Sequence, residues 1–528
     1  MVERQWNLGR LHPKRRHIIK KIHGEGYAKN LTDGKKFAIT AIHQRGWTAI
    51  MHKTLLLLCC CLLFACTPPA VETSGQLADI YQRNSLRVGI LHGPTSYYIG
   101  VDGPTGFEYE LAKALADRLG VELSLAPSFH LDELLDKLET GQVDFIAGGL
   151  TLTPSRTERF RAAPPYRWIN EVVVYRQGAT WPREFADLAG PVVVMKASSH
   201  AESLAILQQE NADFQYVEDP ELDADELLQK VIDGSINYTL TDSNQLAVNR
   251  RLFPQLSIAF TLNENLPVGW LLQKSQDDSL YSVLIEYFGH VYQNGDLVTL
   301  EDRYFGHVEL FDYVDTIKFI QAIDHTLPKF KPLFLQHAGE LDWRLLAALS
   351  YQESHWNPKA RSPTGVRGLM MLTMPTARQM GVDSRLDPQD SIDGGSRYLQ
   401  LLLTRIPERI PMPDRLWFAL ASYNIGWGHV EDARRLTQRD GADPDKWLEV
   451  KQRLPLLRKK SVYQHTRFGF ARGDEAVMYV ENIRRYYDTL VGVDERQQLE
   501  DRMEQQRQKL VEETNESEES SALAPPSS

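Results

Sequence analysis

The chain has 528 residues, 42% of them hydrophobic and 24% charged, with a formal net charge of -11. That length exceeds what one core organises and predicts two or three compact units plus tails, while the composition fits neither a disordered chain nor a polytopic membrane protein. The acidic balance, with a basic excess only in residues 1–50, argues against a nucleic-acid partner, because phosphate binding needs a basic face.

All four cysteines, Cys59, Cys60, Cys61 and Cys66, lie in one apolar segment. The rest of the chain therefore offers no disulfide, no thiolate nucleophile and no Cys-ligated metal. The segment MHKTLLLLCCCLLFAC has a basic Lys53, an apolar run from Leu55 to Phe64, then small Ala65 and Cys66. This is the three-part layout of a secretory signal, too short to span a bilayer. A signal belongs at an N-terminus, so residues 1–50 are read as a non-native extension ahead of a start at Met51, residues 51–66 as the signal and residues 67–83 as a linker. The ending LFAC resembles the lipobox of bacterial lipoproteins, although Phe64 departs from the small residue usual there. The resemblance implies lipidation at Cys66, and Thr67 rather than Asp implies the periplasmic face of the outer membrane, reached by acyl chains without a spanning helix.

From Leu86 to about Phe305 short apolar strands alternate with amphipathic helices: LRVGIL, GFEYELAKALADRLGV, ELSLA, LDELLDKLETGQ, VDFIAGG, and then a second cycle from GPVVVMKASSHAESLAIL to LLQKVIDGSINYTLTD. The pattern predicts two lobes of parallel α/β layers. In their order, GFEYELAKALADRLGV, LETGQVDFIAGGLTLTPSRTERFRAAPPY and IDGSINYTLTDSNQ resemble the periplasmic solute-binding proteins of family 3, over residues 84–305. That resemblance implies a ligand held between two hinged lobes. It places the family's carboxylate-clamping arginine on Arg156, whose planar fork donates two parallel hydrogen bonds. Thr151 and the backbone around Gly149 would flank it, and Asp242 matches the acid that holds a ligand ammonium. The implied partner is a small carboxylate-bearing ligand, a muropeptide or an amino acid.

After Gly306 the strands stop. Residues 306–340 are read as a helical connector, and helical segments then continue to about Leu490 with breaks at Asn357-Pro358, Asp387-Pro388, RIPERIPMPDR and Asp443-Pro444. Residues 341–492 form the second domain, and residues 493–528, charged and then rich in Ser, Glu and Pro, read as a disordered tail.

Within LAALSYQESHWNPKARSPTGVRGLMML, residues 346–372, Asp342 is a candidate N-cap and Leu345, Leu346, Leu349 and Glu353 share one face before Pro358 ends the helix. A glutamate there continues an apolar stripe beside the negative end of the helix dipole; both features oppose ionisation. Such a group is poor for the fold and suited to general-acid catalysis. QESHWNPKARSPTGVRGLMMLTMPTA, ASYNIGWGHV and MYVENIRRYY resemble the ordered signatures of the soluble-lytic-transglycosylase family of lysozyme-like domains.

That resemblance implies cleavage of the glycosidic bond between N-acetylmuramic acid and N-acetylglucosamine in peptidoglycan, with Glu353 as the single acid and base and a 1,6-anhydro end as product. It assigns Ser362, Tyr423, Asn424 and Tyr479 to the sugar groove, together with Met371, which stands where the family usually has Gln. Two alternatives stay open: water attacks and the protein is a muramidase, or a solute receptor carries an inactive lysozyme-like appendage. Asp383, Asp387, Asp390 and Asp393 lie in a Pro- and Gly-punctuated stretch and read as turn residues. No metal or cofactor is expected: His290, His307, His325, His337 and His355 have no His-Glu-x-x-His spacing, and no Gly-rich stretch carries a P-loop lysine. The expected fold is thus a two-lobed α/β periplasmic-binding-protein-like domain followed by a mainly α lysozyme-like domain.

Overall fold

A computed structural model describes residues 75–100, 103–308, 313–363 and 365–522, with side chains described as far as residue 509. The signal segment and Cys66 lie outside the described residues. Part of the expected linker is ordered: Gln76–Arg83 is a helix whose Ile80 is fully buried. Its first amide is held by Asp277, with Gln76 N–H donating to Oδ2 at 2.5 Å. One apolar side chain reaching a neighbouring core is enough to recruit a short helix that composition alone reads as a spacer.

The α/β part contains β1 (Ser85–Leu91), β2 (Tyr98–Gly100), β3 (Gly103–Thr105), β4 (Glu122–Ser128), β5 (Phe145–Thr151), β6 (Arg161–Ala162), β7 (Arg167–Arg176), β8 (Val192–Met195), β9 (Tyr216–Asp219), β10 (Tyr238–Asp242) and β11 (Leu256–Leu272). β2 and β3 form a separate hairpin, and the others follow the order β4-β1-β5-β11-β7-β10-β8-β9, with β6 against β11. The expected parallel layers exist within each lobe: β1 pairs parallel with β4 and β5, and β8 pairs parallel with β9 and β10.

Between the lobes the sheet is antiparallel. β11, 17 residues long, runs against both β5 and β7, while β7 runs against β10. Register shifts along β11, between Ile258 and Phe260 and between Gly269 and Leu271 among others, let one strand serve both lobes by bending. Periodicity reports which face of a strand is buried but not the direction of its neighbour, so this seam was not legible beforehand.

The helical part is built on one core. Leu346, Phe418 and Val480 are buried in it together with Phe319 and Phe334. Those two phenylalanines sit on the helices Tyr313–His325 and Lys331–His337, so the stretch expected to be a connector is part of the helical core. The expected disordered tail is likewise helical as far as Ala522, in a single helix Gly473–Ala522. Glu, Gln, Arg and Lys are strong helix formers, and contacts four residues apart, Gln498 to Asp494 and Gln508 to Glu504, support an exposed helix that has no apolar face to bury.

That long helix also meets the α/β part. Asp488 accepts from Arg251 Nη1 at 2.8 Å and lies 2.5 Å from Nε2 of His307, which is buried. A π-helical turn, Asp302–Gly306, presents its carbonyls to the buried Arg484, which donates to the oxygens of Asp302 and Arg303 at 2.6 and 3.1 Å. Burial works to raise the Asp488 carboxyl, but His307, Arg251 and Arg484 overcome it and hold the group down at about 2. Burial also lowers the His307 imidazole.

A carboxylate depressed in the folded state stabilises it above the unfolded pKa, and the gain disappears as pH falls through the folded value. Asp488→Asn is therefore expected to lower unfolding free energy by about 1–2 kcal/mol at pH 7, with the difference from wild type shrinking below about pH 4. Urea titrations at both pH values test this; a difference that does not change with pH would sever the link to Asp488.

Candidate functional site

Asp342 caps the helix Trp343–Ser354 by accepting the Arg344 N–H at 2.8 Å. The helix ends in two consecutive left-handed residues, His355 at φ 50° and Trp356 at φ 56°. Two non-glycine residues in that region carry strain of order 1–2 kcal/mol each. Trp356 offsets it: the indole folds back into the core, 1% exposed, and its Nε1–H donates to the Ala347 carbonyl at 2.9 Å. This hairpin end fixes Glu353, half-buried, one residue from the helix terminus.

The loop that follows is staked to the same helix. Ser354 and Ser350 hydroxyls donate to the Leu369 carbonyl at 2.8 and 3.2 Å, and the Met370 N–H donates to Ser391 Oγ at 3.1 Å. Gly368 has φ 83°, and a Cβ there would stand 1.6 Å from the Arg385 carbonyl oxygen, so the tight passage requires glycine.

Tyr479, on the long C-terminal helix, donates its hydroxyl to Glu353 Oε1. Burial raises the Glu353 carboxyl to about 7, and the Tyr479 hydroxyl opposes that rise. Tyr423 stands close enough for Glu353 to help raise its phenol well above the usual range, after burial. Its hydroxyl, however, donates to the Met370 carbonyl at 2.9 Å and so anchors the loop. Asn424 is exposed beside it. Met371 is half-buried at φ 44°. Ser362 is half-buried in the turn below, its Oγ accepting the Val366 N–H at 3.3 Å. Asp387 caps the helix Pro388–Arg405, Asp390 accepts the Ser384 N–H at 3.0 Å and Asp393 pairs with Arg397.

The α/β part holds a second site. A cavity of about 130 Å³ between the lobes is lined by Thr151, Arg156, Ser198, His200, Asp242 and Gln245, among others. Arg156 is buried on the short helix Pro154–Arg159 and donates to the Thr151 carbonyl at 2.9 Å and, from the other lobe, to that of Ala197 at 3.5 Å. The Thr151 hydroxyl is buried and has no partner among the described residues. Asp242 ends β10 and lies 2.9 Å from Nε2 of His200.

Three groups here were not singled out in the sequence. Glu108 is fully buried, accepts from Trp270 Nε1 at 2.7 Å and from the Tyr166 hydroxyl, and is raised by burial to about 7. Its signal was available, since it lies among the buried positions Phe107, Leu111, Ala112 and Leu115, as Glu353 lies in its own stripe. His200 and Glu171 gave none; only the fold brings them to Asp242.

By comparison with known proteins, the two parts are a cell-wall lytic enzyme and a solute-binding body. Residues 334–445 match the transglycosylase SLT domain and residues 86–307 match the bacterial extracellular solute-binding proteins of family 3. A membrane-bound lytic murein transglycosylase F from Pseudoalteromonas translucida is 52% identical over 439 residues, covering 83% of this chain and 93% of that protein. One from Idiomarina loihiensis is 51% identical, covering 82% and 96%, and one from Vibrio cholerae 49%, covering 81% and 83%. The chain belongs to the membrane-bound lytic murein transglycosylase F family. Among solved structures it is similar to an ancestral amino-acid-binding protein, a precursor of cyclohexadienyl dehydratase, at 25% identity and TM-score 0.39, covering 44% of this chain and 100% of that one. An amino-acid transporter substrate-binding protein from Streptococcus pneumoniae bound to L-arginine gives 22%, 0.38, 44% and 100%. Among the described residues no helix is long and apolar enough to cross a membrane.

The Tyr479 bond lowers the Glu353 carboxyl, so removing it raises the group further. In Tyr479→Phe the titration of Glu353, followed by NMR, should move to higher pH; an unmoved titration in a folded variant would show that the bond does not tune the carboxyl. Glu353 itself has a folded value above the ordinary 4.5, so the folded state binds its proton more tightly and loses stability as pH rises between the two. Glu353→Gln should therefore be more stable than wild type at pH 8 by on the order of 2 kcal/mol, a gain that vanishes toward pH 4 in denaturant titrations.

Proposed function

We propose that Glu353 cleaves the bond between N-acetylmuramic acid and N-acetylglucosamine without water. Its carboxylic acid protonates the glycosidic oxygen as the C1–O bond breaks. The carboxylate left behind takes the proton of the muramic 6-hydroxyl, whose oxygen closes onto C1 to give a 1,6-anhydro end. Glu353 regains its proton, and atoms and charges balance.

The observation that supports this reading is the Glu353 carboxyl at the end of its helix, raised by burial to about 7 and hydrogen-bonded by the Tyr479 hydroxyl, a group suited to give a proton and take it back. Ser362, Met371, Tyr423, Asn424 and Tyr479 are assigned to the sugar groove. Tyr479 acts on the acid directly, and Tyr423 acts through the Met370 loop.

Thr151, Arg156 and Asp242 are proposed to bind a small carboxylate-bearing ligand, such as a muropeptide or an amino acid, and to make the α/β body a sensor. In support, the helix that brings Tyr479 to the acid carries Asp488 to the α/β body nine residues on, about 13 Å along its axis. Coupling requires that the ligand distinguish two states. We assign residues 84–305 to the sensor and 341–492, with the core-packed helices of 306–340, to catalysis, and place the protein at the periplasmic face of the outer membrane through Cys66.

Mass analysis of muropeptides released from purified murein decides the chemistry. The expected products weigh one water less than hydrolytic ones, and Glu353→Gln should slow release by at least about a hundredfold while leaving ligand binding at Arg156 intact. Hydrolytic masses would make the protein a muramidase, and activity persisting in Glu353→Gln would remove the assignment of the acid.

A further inference from the structure

Glu171 and Asp242 stand directly opposite each other across the β7–β10 ladder. Two like charges in that register repel, and a cation between them relieves the repulsion. Glu171 is fully buried, at 0% exposed. Its Oε2 accepts from Ser203 Oγ at 2.8 Å and Asn263 Nδ2 at 2.7 Å, while Oε1 has no hydrogen-bond partner among the described residues. A buried carboxylate oxygen without a donor is costly, so the fold leaves a charge to be matched here.

The remaining member is His200, on the helix Ser199–Glu210. One ring nitrogen of His200 and one carboxylate oxygen each from Glu171 and Asp242 lie within 4.8 Å of one another. A proton on His200 Nε2 satisfies Asp242, 2.9 Å away, but leaves Glu171 Oε1 with nothing. A cation placed among all three would meet one oxygen of each carboxylate and one nitrogen of the imidazole. His200 and Asp242 line the cavity between the lobes and Glu171 does not, so the cation sits in the cavity floor, where an ion fits more readily than an organic ammonium with its substituents.

We propose that Glu171, His200 and Asp242 form a binding site for a divalent transition-metal cation of the zinc class in the second lobe. One imidazole and two carboxylates suit zinc, cobalt or manganese, whereas magnesium and calcium favour all-oxygen shells. Three protein ligands leave a further coordination position, which opens toward the cavity and is filled by water or by an oxygen of a bound solute. Second-sphere support is present: Ser203 and Asn263 orient the Glu171 carboxylate as hydrogen-bonded neighbours orient metal ligands elsewhere. The buried Arg156 nearby carries the opposite charge to the three acids that act on it, Glu202, Asp242 and Glu171.

The test uses the full-length protein stripped with a chelator, then titrated with Zn(II) against a chromophoric competitor, and with Co(II) as a spectroscopic probe. One tight equivalent per chain is expected, with visible Co(II) absorption of a four- or five-coordinate nitrogen and oxygen site that one equivalent of Zn(II) bleaches. Glu171→Gln and His200→Gln, shown folded by circular dichroism, should each weaken Zn(II) binding by at least about tenfold and remove the Co(II) bands. Equal stoichiometry and affinity in wild type and both variants would place the metal on surface histidines and overturn the site. Should neither variant fold, wild type alone decides: a Co(II) spectrum identical to that of the aqueous ion overturns the proposal.

Discussion

One half-buried carboxyl, raised by its burial, is the constraint on which the site in the helical part depends. Glu353 sits where a helix ends, so its backbone is positioned by geometry that a helix interior could not give. The stiffness comes from two left-handed residues, and their strain is tolerated because Trp356 buries an indole and returns a hydrogen bond to Ala347. The Leu369–Met370 loop, held by two serines of the same helix, by Ser391 and by Tyr423, forms a rigid neighbour whose backbone carbonyls are already occupied. The acid is thereby left with the Tyr479 hydroxyl. A site of this kind is stable as a scaffold and locally unfavourable at its centre, the trade expected where function needs a proton held at neutral pH.

The C-terminal helix links that centre to the rest of the molecule. Along one rod it presents Tyr479 to the acid, Arg484 to the carbonyls of a π-helical turn and Asp488 to Arg251 and His307. Buried ionic contacts of this sort add little net stability over apolar packing but tolerate few alternative arrangements. They set the orientation of the α/β body against the helical one, so a change at the seam is felt along a helix that also touches the catalytic group.

The cleft of the α/β body divides its charge between lobes. Arg156 supplies a guanidinium whose fork is partly committed to the Thr151 and Ala197 carbonyls, and the facing lobe supplies Asp242, Glu171 and His200. A carboxylate at Arg156 and the proposed cation on the facing lobe both match that polarity. The antiparallel seam of β11 and β7 makes the two halves one sheet path, so the lobes share a backbone at the bottom of the cavity.

By itself the sequence determined the order of the two bodies and most helices and strands with strong periodicity; it marked Glu353 as an acid within an apolar stripe before a helix stop, and the resemblance of the motifs around it pointed to the proposed catalytic role. Arg156 and Asp242 were legible only through the resemblance to solute-binding proteins. Tertiary structure decided what depends on neighbours distant in the chain: the antiparallel β11, the core role of Phe319 and Phe334, the helix continuing past Leu490, and the pairing of Tyr479 with Glu353 across 126 positions. It also decided that Tyr423 holds a loop carbonyl and that Glu171, His200 and Asp242 converge. The physical reason is common to all of these. Burial and hydrogen-bond partners are properties of packed surfaces, and periodicity along a chain states which side of an element is packed without stating against what.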